Sequence, residues 1–387
     1  MNAAPAPRDF SGRILELDGL RGVAIAMVLI YHYFFLAIVT KPNSVAGHVQ
    51  ALGRLTWTGV DLFFVLSGFL IGGILLDAQG SQNYFRTFYI RRFFRIVPLY
   101  ALWFVVTCAA IVLIHWMDLN RFRWFLSGHL PLLPYAFFLQ NFWMATHNTL
   151  GGAPSGGTWS LAIEEQFYLT LPAVLYFTKI RYRVPLLVAG VLMAPTIRIL
   201  LHFLWHENRT ALFVLMPCRA DALLLGVLGA ILLRTEGWKE RLQQGRVPLY
   251  LALCVFLAGA AVLTSLDNSL TAKMDKLSII SGGYTWMACL YLLFILFAVT
   301  QPTSLIAKCM RWSPLRWLGT MAYGLYLIHD YASAFLGSLV PAIPSWGTNG
   351  RVLAVGVGSL ALTLAIARLS WLRLEKPLLQ LGHRYRY

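Results

Sequence analysis

Apolar segments about twenty residues long recur along the whole chain, and they restrict its fold more than any other feature. A helix of that length crosses the hydrocarbon core of a bilayer, about 30 Å thick, and satisfies its own backbone hydrogen bonds there. About ten such segments are found: 20–40, 59–76, 96–115, 160–178, 184–203, 211–233, 247–265, 279–300, 317–340 and 352–372. The sequence therefore predicts an all-α polytopic membrane bundle of about ten transmembrane helices.

Composition agrees with a membrane bundle, because 58% of the 387 residues are hydrophobic and only 12% are charged. Soluble domains contain about 25% charged residues. The apolar segments fill most of the chain, which predicts a single domain over residues 1–387. The five cysteines lie in or beside apolar segments without metal-binding or disulfide spacing, so they are expected to be packing residues. No cleavable signal peptide is expected at the start.

The distribution of lysine and arginine predicts the orientation of the bundle. Positive residues accumulate in cytoplasmic loops. With the N-terminus inside, inner segments carry twenty of the 32 lysines and arginines and outer segments carry eight. Both termini are therefore predicted to be cytoplasmic. Orientation also explains the net charge of +16, so the lipid bilayer is the expected partner and nucleic acid is not.

The first apolar segment contains an ionisable pair, Arg21 and His32, close to Asp18. Eleven residues make about three helical turns, so the two side chains share a face about 16 Å apart along the axis. Ionisable groups are costly in hydrocarbon and usually mark a functional path inside a bundle. This pair is the first candidate for the functional site.

Three arginines, Arg91, Arg92 and Arg95, precede the third segment on the predicted inner side. The orientation rule alone produces such a cluster. Arginine forks also bind phosphates through bidentate, charge-assisted hydrogen bonds, and this spacing places the three around one helical turn. The second interpretation predicts a cytoplasmic polyphosphate ligand.

Two adjacent carboxylates, Glu164 and Glu165, enter the fourth segment after a glycine-containing loop. Acidic residues stabilise a helix N-terminus, so a capping role is one interpretation. Two carboxylates followed by Gln166 are more polar than a cap requires, which favours a functional role.

Five further polar residues lie inside predicted helices: Asp61, Arg219, Asp221, His329 and Asp330. For each, structural pairing and function are equally open. Arg219 and Asp221 lie about 200° apart on an ideal helix. Each is therefore expected to pair with another helix rather than with the other residue.

Taken in order, these segments resemble acyltransferase family 3, a family of integral membrane O-acyltransferases. The resemblance covers nearly the whole chain and rests on an ordered set of motifs: the Asp-Gly-Leu-Arg-Gly start at 18–22 with His32, the segment 59–68, Arg-Arg-x-x-Arg-Ile-x-Pro at 91–98, 158–168 with Trp159 and Tyr168, 219–226, 323–329 and Glu-Lys-Pro at 375–377. It implies transfer of an acyl group, usually acetyl, from cytoplasmic acyl-CoA to a hydroxyl of a sugar or another acceptor. Some members add a soluble hydrolase-like domain after the last helix, and none is expected here.

The resemblance and the residue chemistry give each candidate a role. Arg91, Arg92 and Arg95 would hold the CoA phosphates. His32 would remove a proton from the acceptor hydroxyl or carry the acyl group itself. Arg21 would stabilise an anion or orient the donor. The two glutamates would position the acceptor or fix the His32 tautomer. Supporting roles fall to Asp18, Asp61, Trp159, Tyr168, Arg219, Asp221 and His329. No metal or tightly bound cofactor is expected.

The predicted activity is acylation of a cell-envelope or exported polysaccharide in a bacterial plasma or inner membrane, with acetyl-CoA as donor and polysaccharide-assembly proteins as further partners. Acylation of a small secondary metabolite is an alternative. A transporter of an acyl or sugar-linked molecule would also need buried charges. No inverted repeat is evident in the sequence, which disfavours transport.

Overall fold

The computed structural model describes residues 14–41, 44–122, 130–152, 155–205, 208–267, 277, 279–341 and 347–387. These residues form helices and turns, and no β-strand occurs among them. The helices are α1 Leu15–Ile30, α2 Val45–Arg54, α3 Gly59–Asp77, α4 Tyr84–Trp116, α5 Leu132–Ala136, α6 Gln140–Thr146, α7 Trp159–Phe177, α8 Ile180–Leu204, α9 Arg209–Val214, α10 Met216–Leu232, α11 Trp238–Gln244, α12 Arg246–Asp267, α13 Tyr284–Thr300, α14 Leu305–Met310, α15 Ser313–Thr320, α16 Ala322–Leu339, α17 Gly347–Ser370 and α18 Lys376–Gly382. The predicted all-α fold is confirmed.

Eight helical stretches in the described part of the chain are long and apolar enough to cross a membrane, which makes this a multi-pass membrane protein. The other two predicted spans correspond to α7, with 19 residues, and α16, with 18 residues. Both are long enough to cross, but the glutamates of α7 and the histidine and aspartate of α16 make them more polar. The count of ten, like the cytoplasmic placement of the termini, stays a prediction.

Two predicted boundaries shift in the structure. Helix α4 begins at Tyr84 rather than at residue 96, so the three arginines lie inside this helix and not before its start. Helix α1 begins at Leu15 and continues into a π-helical turn, Tyr31–Phe35, which contains His32. Such turns are frequent at functional sites.

Helices α3 and α10 pack closely against each other, because glycine residues allow their backbones to come into contact. Gly68 of α3 lies against the backbone of Leu223, and Gly226 of α10 lies against the carbonyl of Val65. A Cβ at either glycine would overlap the opposing backbone. Small residues commonly allow this close packing of membrane helices, where van der Waals contact drives association.

Two buried ion pairs join α10 to its neighbours. Arg219 pairs with Asp61 of α3, and Arg198 of α8 donates from Nη1 to Asp221 Oδ2 at 2.9 Å. All four side chains are at most 1% exposed. The prediction that Arg219 and Asp221 each pair across helices is therefore confirmed.

The Arg219 guanidinium lies inside an aromatic cage. Its Cζ is 4.0 Å from the Tyr284 ring centroid and 5.8 Å from the Trp159 ring centroid, with Phe64 and Phe213 nearby. Cation–π attraction compensates part of the desolvation of this charge. Trp159 and the Arg219–Asp61 pair thus connect helices in the bundle interior.

All five cysteines are free, and of these Cys218 is buried whereas Cys254 and Cys309 are exposed. Several residues used to predict orientation lie outside the described residues: Arg8, Arg13, Arg123, Lys273 and Lys276. The segment expected to have no signal peptide also falls largely within residues 1–13, which are not among those described.

Candidate functional site

His32 meets two polar residues of α16, and the three form what we call the histidine cluster: His32, His329 and Asp330. The two imidazole ring centroids are 4.8 Å apart at an interplanar angle of 78°. His329 Nε2 is 3.3 Å from Asp330 Oδ1. One ligand atom from each of the three residues lies within 4.8 Å of the others. No local sequence pattern predicts that α16 packs beside the end of α1, so this contact is known only from the structure.

Backbone carbonyls fix the orientation of both imidazoles. His32 Nδ1 is 2.9 Å from the Val28 carbonyl oxygen, and His329 Nδ1 is 2.6 Å from that of Tyr326. A carbonyl only accepts, so each Nδ1 carries a hydrogen. In the neutral rings each Nε2 then carries a lone pair. The tautomer of His32 is thus set by its own helix, not by the glutamates to which the sequence analysis gave this role.

Further hydrogen bonds hold the histidine cluster in place. Tyr33 donates its hydroxyl to the His329 carbonyl at 3.1 Å and contacts Thr363 Oγ1 at 2.6 Å. Tyr326 donates to the Gly157 carbonyl at 2.8 Å and accepts from Ser160 at 2.6 Å. Four parts of the fold therefore converge here: α1 with its π-helical turn, the start of α7, α16 and α17.

Gly157 lies directly against this cluster. An ideal Cβ at position 157 would be 3.1 Å from Asp330 Oδ2 and 3.7 Å from His329 Cε1. Only glycine therefore leaves the carboxylate uncovered at this point. In the sequence Gly157 belongs to a loop motif, and no separate role was predicted for it.

A second polar group, the arginine cluster, consists of Arg21, Arg92, Arg95, Glu164 and Glu165. Glu164 lies in the electrostatic field of all three guanidinium groups, and Glu165 lies in that of Arg92. Arg21 also donates to Asp18 at 2.6 Å. The structure thus places the glutamates with the arginines rather than against His32.

Tyr168 holds one carboxylate of the arginine cluster. Its hydroxyl donates to Glu164 Oε2 at 3.0 Å and hydrogen-bonds Ser67 of α3. The Arg92 guanidinium lies 5.7 Å from the Tyr168 ring centroid, and its buried Nε has no hydrogen-bond partner. A buried donor without a partner is uncommon and is a reason to expect a ligand.

Arg91 points away from this cluster and holds the C-terminal residues. Its Nη2 donates to the Tyr385 carbonyl at 2.6 Å, and its Cζ lies 5.0 Å from the Tyr387 ring centroid. Burial raises the pKa of the Tyr387 hydroxyl, so the ring meets the guanidinium as a neutral phenol. The predicted group of three arginines is therefore divided, with Arg92 and Arg95 near the glutamates and Arg91 at the tail.

Glu375 is a third carboxylate near the arginines that the sequence analysis assigned no separate role. It accepts from Ser370 at 3.1 Å and lies in the field of Arg95. Tyr323 of α16 lies in the field of Glu375 and of both glutamates of α7. The Glu-Lys-Pro motif was the signal in the sequence, but only the fold shows that the carboxylate reaches this group.

The residue types of the histidine cluster are also those that bind Zn²⁺, since two imidazoles and a carboxylate are common ligands. Each Nδ1–H donates to a carbonyl, which is the usual support for a metal-binding histidine. The same geometry suits proton transfer, because it leaves two basic nitrogen atoms at one place. Of the site residues predicted from the sequence, Asp61, Trp159, Arg219 and Asp221 instead belong to the buried interior described above.

Comparison with known proteins agrees with the motifs. The family model described as an acyltransferase domain, acyltransferase 3, matches residues 14–368. The putative peptidoglycan O-acetyltransferase YrhL of Bacillus subtilis is 29% identical over 95% of this chain and 55% of its own length. The peptidoglycan O-acetyltransferase OatA of Listeria monocytogenes is 30% identical over 95% and 56%, and the O-acetyltransferase OatA of Staphylococcus aureus is 28% identical over 96% and 58%.

The chain thus spans somewhat more than half the length of these curated relatives. No solved structure matches it. The family model covers most of the chain, from the first described residue into the last turn of α17. The chain belongs to the acyltransferase 3 family.

Proposed function

We propose that this chain is an O-acetyltransferase of the bacterial plasma membrane. It takes an acetyl group from cytoplasmic acetyl-CoA and transfers it to a hydroxyl of a cell-envelope polysaccharide. The observation that carries the proposal is His32, a histidine inside a membrane bundle whose Nδ1–H is held by a carbonyl and whose Nε2 remains available. The names of the three relatives support acetyl transfer, and two of them support a cell-wall glycan as acceptor.

The donor site is assigned to Arg92 and Arg95. Guanidinium groups bind phosphate oxygens through charge-assisted hydrogen bonds, which suits the phosphates of CoA. The buried, unpartnered Nε of Arg92 supports this choice. Arg91 is left out of the phosphate site because it already holds the Tyr385 carbonyl.

The two clusters share helices, which supports a path between them. Arg21 and His32 belong to the first helix and its π-helical turn, Glu164 follows Ser160 by one turn of α7, and α16 carries both Tyr323 and His329. One helical turn advances about 5.4 Å. A thioester on a flexible arm, with its phosphates at the arginines, would thus have a polar route towards His32.

His32 acts as the general base in the proposed transfer. The acceptor hydroxyl oxygen attacks the thioester carbonyl carbon while its proton passes to His32 Nε2. The carbon–sulfur bond then breaks, and the sulfur receives both the bonding electron pair and that proton, which gives free CoA. The Val28 carbonyl, which accepts from Nδ1–H, stabilises the imidazolium formed between these steps.

The proposal is tested by mass spectrometry of envelope glycans and secreted metabolites. Cells would carry no copy, the wild-type chain, His32→Ala, or His115→Ala as a control on an exposed histidine of α4. Wild type and His115→Ala should add the mass of one acetyl group to a glycan, and His32→Ala should not. An acetylated metabolite instead of a glycan would identify the alternative acceptor. Full acetylation by a folded His32→Ala protein would refute the mechanism.

Transport is separated from transfer in the purified protein. In nanodiscs with labelled acetyl-CoA and soluble glycan fragments, a transferase forms labelled glycan without any gradient. If wild-type protein forms none but moves acetyl-CoA or glycan across proteoliposomes, the chain is a transporter and the proposed function is wrong.

A further inference from the structure

The histidine cluster presents hydrogen-bond acceptors and no donor towards its centre. Both Nδ1–H groups are used on backbone carbonyls, so each neutral ring offers only the lone pair of Nε2. An ionised carboxylate such as Asp330 offers only acceptor oxygens. Three acceptors from two helical segments therefore converge without a hydrogen between them.

The lack of a hydrogen-bond donor is most severe at His329 Nε2. The side chain is 2% exposed, and Nε2 has no hydrogen-bond partner. It lies 3.3 Å from Asp330 Oδ1, another acceptor. Buried polar atoms in native proteins are almost always satisfied, so an orphan of this kind calls for a group that the protein does not supply.

The histidine cluster is partly exposed, so a ligand can reach it. The Asp330 side chain is 22% exposed, and His32 is partly exposed. Gly157 leaves Asp330 Oδ2 uncovered, because any Cβ there would approach it to 3.1 Å. The cluster thus combines one buried acceptor with two partly exposed ones.

The histidine cluster therefore requires several hydrogen-bond donors that lie close together. A sugar with neighbouring hydroxyls supplies this pattern, since each hydroxyl donates one hydrogen and adjacent hydroxyls project from adjacent carbons. A single alcohol would satisfy one acceptor and leave the others unpaired. The acceptor set therefore selects a polyol rather than an isolated hydroxyl.

We propose that His329 Nε2 and Asp330 each accept a hydrogen bond from a further hydroxyl of the acceptor sugar, close to the hydroxyl whose proton passes to His32. This inference rests on the proposed function and names the residues that hold its acceptor. His329 and Asp330 make no bond to the acetyl group. They orient the sugar so that one particular hydroxyl faces His32 and the thioester, and the site acetylates a hydroxyl that has a neighbouring hydroxyl.

The test combines a protein variant with a change in the sugar. Wild type, Asp330→Asn and the control Asp77→Asn, an exposed aspartate at the end of α3, are assayed in nanodiscs with saturating acetyl-CoA. The acceptors are methyl glycosides of N-acetylglucosamine, intact or with one hydroxyl at a time replaced by hydrogen. Asparagine keeps the size of aspartate and loses its charge, so the fold is expected to survive.

Asp330→Asn should raise the KM for the intact acceptor by about tenfold or more, because the sugar hydroxyl then faces a neutral amide instead of a charged carboxylate. The KM for acetyl-CoA should change less than twofold. One deoxy sugar should show a similar loss with wild type and little further loss with Asp330→Asn, since both changes remove the same charge-assisted hydrogen bond. A purely structural role would lower kcat for every acceptor alike and show no such coupling.

Three results would overturn the inference. Wild type could use all deoxy sugars as well as the intact one. The losses from the variant and the sugar could multiply independently. Purified wild-type protein could contain stoichiometric Zn²⁺ that Asp330→Asn loses, in which case the three acceptors serve a metal.

A binding measurement separates this inference from the proposed function. Calorimetric titration of the same methyl glycosides into His32→Ala protein and into the double variant His32→Ala/Asp330→Asn needs no turnover. Weaker binding to the double variant supports the acceptor site even if acetyl transfer is never detected. Equal binding to both proteins refutes the site even if wild type transfers acetyl.

Discussion

The Arg219–Asp61 pair gives the sharpest prediction about how this bundle is held together. Replacement of Asp61 by alanine leaves the Arg219 guanidinium, which is 0% exposed, without its counter-charge. Breaking a buried ion pair from one side costs about 3–5 kcal/mol of the free energy of unfolding. The aromatic cage remains in the variant, so we expect the lower part of that range.

A surface pair that includes the last residue of α3, Asp77, provides the control. Asp77 and Arg234 are 64% and 36% exposed, and pairs of this kind contribute about 0–1 kcal/mol. Asp77→Ala should therefore be nearly neutral. Unfolding of the purified proteins by SDS in mixed micelles, followed by circular dichroism, measures both differences.

A double variant distinguishes a structural role from a catalytic one. Asp61→Leu/Arg219→Met removes both charges and fills the cage with apolar groups, which is often neutral or stabilising for buried pairs. It should recover most of the stability lost in Asp61→Ala and retain acetyl transfer. The reasoning is refuted if Asp61→Ala lies within about 1 kcal/mol of Asp77→Ala, or if the double variant is as unstable as the single one. A stable but inactive double variant would place the pair in the reaction instead.

Three further predictions concern the donor site, the histidine cluster and the contact between α3 and α10. Arg92→Ala should raise the KM for acetyl-CoA about 10- to 100-fold, because a charged hydrogen bond is lost. Replacement of the exposed Arg86 of the same helix by alanine should leave this KM unchanged. Equal KM values for the two variants would contradict the donor assignment. Gly157→Ala should lower kcat/KM about tenfold by crowding the cluster carboxylate, whereas Gly156→Ala, whose nearest neighbour is a loop carbonyl at 3.3 Å, should not. Gly68→Val should abolish folded protein because its Cβ overlaps a backbone carbonyl, and normal yield and melting temperature would disprove that contact.

Much of the fold was predictable because a bilayer imposes its thickness on the sequence. Eight of the predicted spans have long apolar counterparts, and the two that do not, α7 and α16, are more polar because they carry the glutamates and the histidine–aspartate pair. Pairing across helices at Arg219 and Asp221 also followed from helical geometry alone. These features depend on residues close together in the chain or on the periodicity of one helix.

The site was predictable only in part. His32 and the arginine-rich start of α4 stand out as charges in apolar surroundings, which is a local signal. The division of the arginines, with Arg91 on the tail and Arg92 near Glu164, depends on where the C-terminal residues fold back. No spacing within α4 encodes that division.

By itself, the sequence determined the helical membrane fold, its family and the individual polar residues that interrupt the apolar segments, because hydropathy and helical period act over short distances along the chain. Only the tertiary structure decided which of those residues meet. His32 and His329 are almost three hundred positions apart, and their rings lie 4.8 Å from each other because α16 packs beside the end of α1. Contacts between helices depend on the packing of whole faces rather than on any local pattern, which is why the histidine cluster became visible only in the folded molecule.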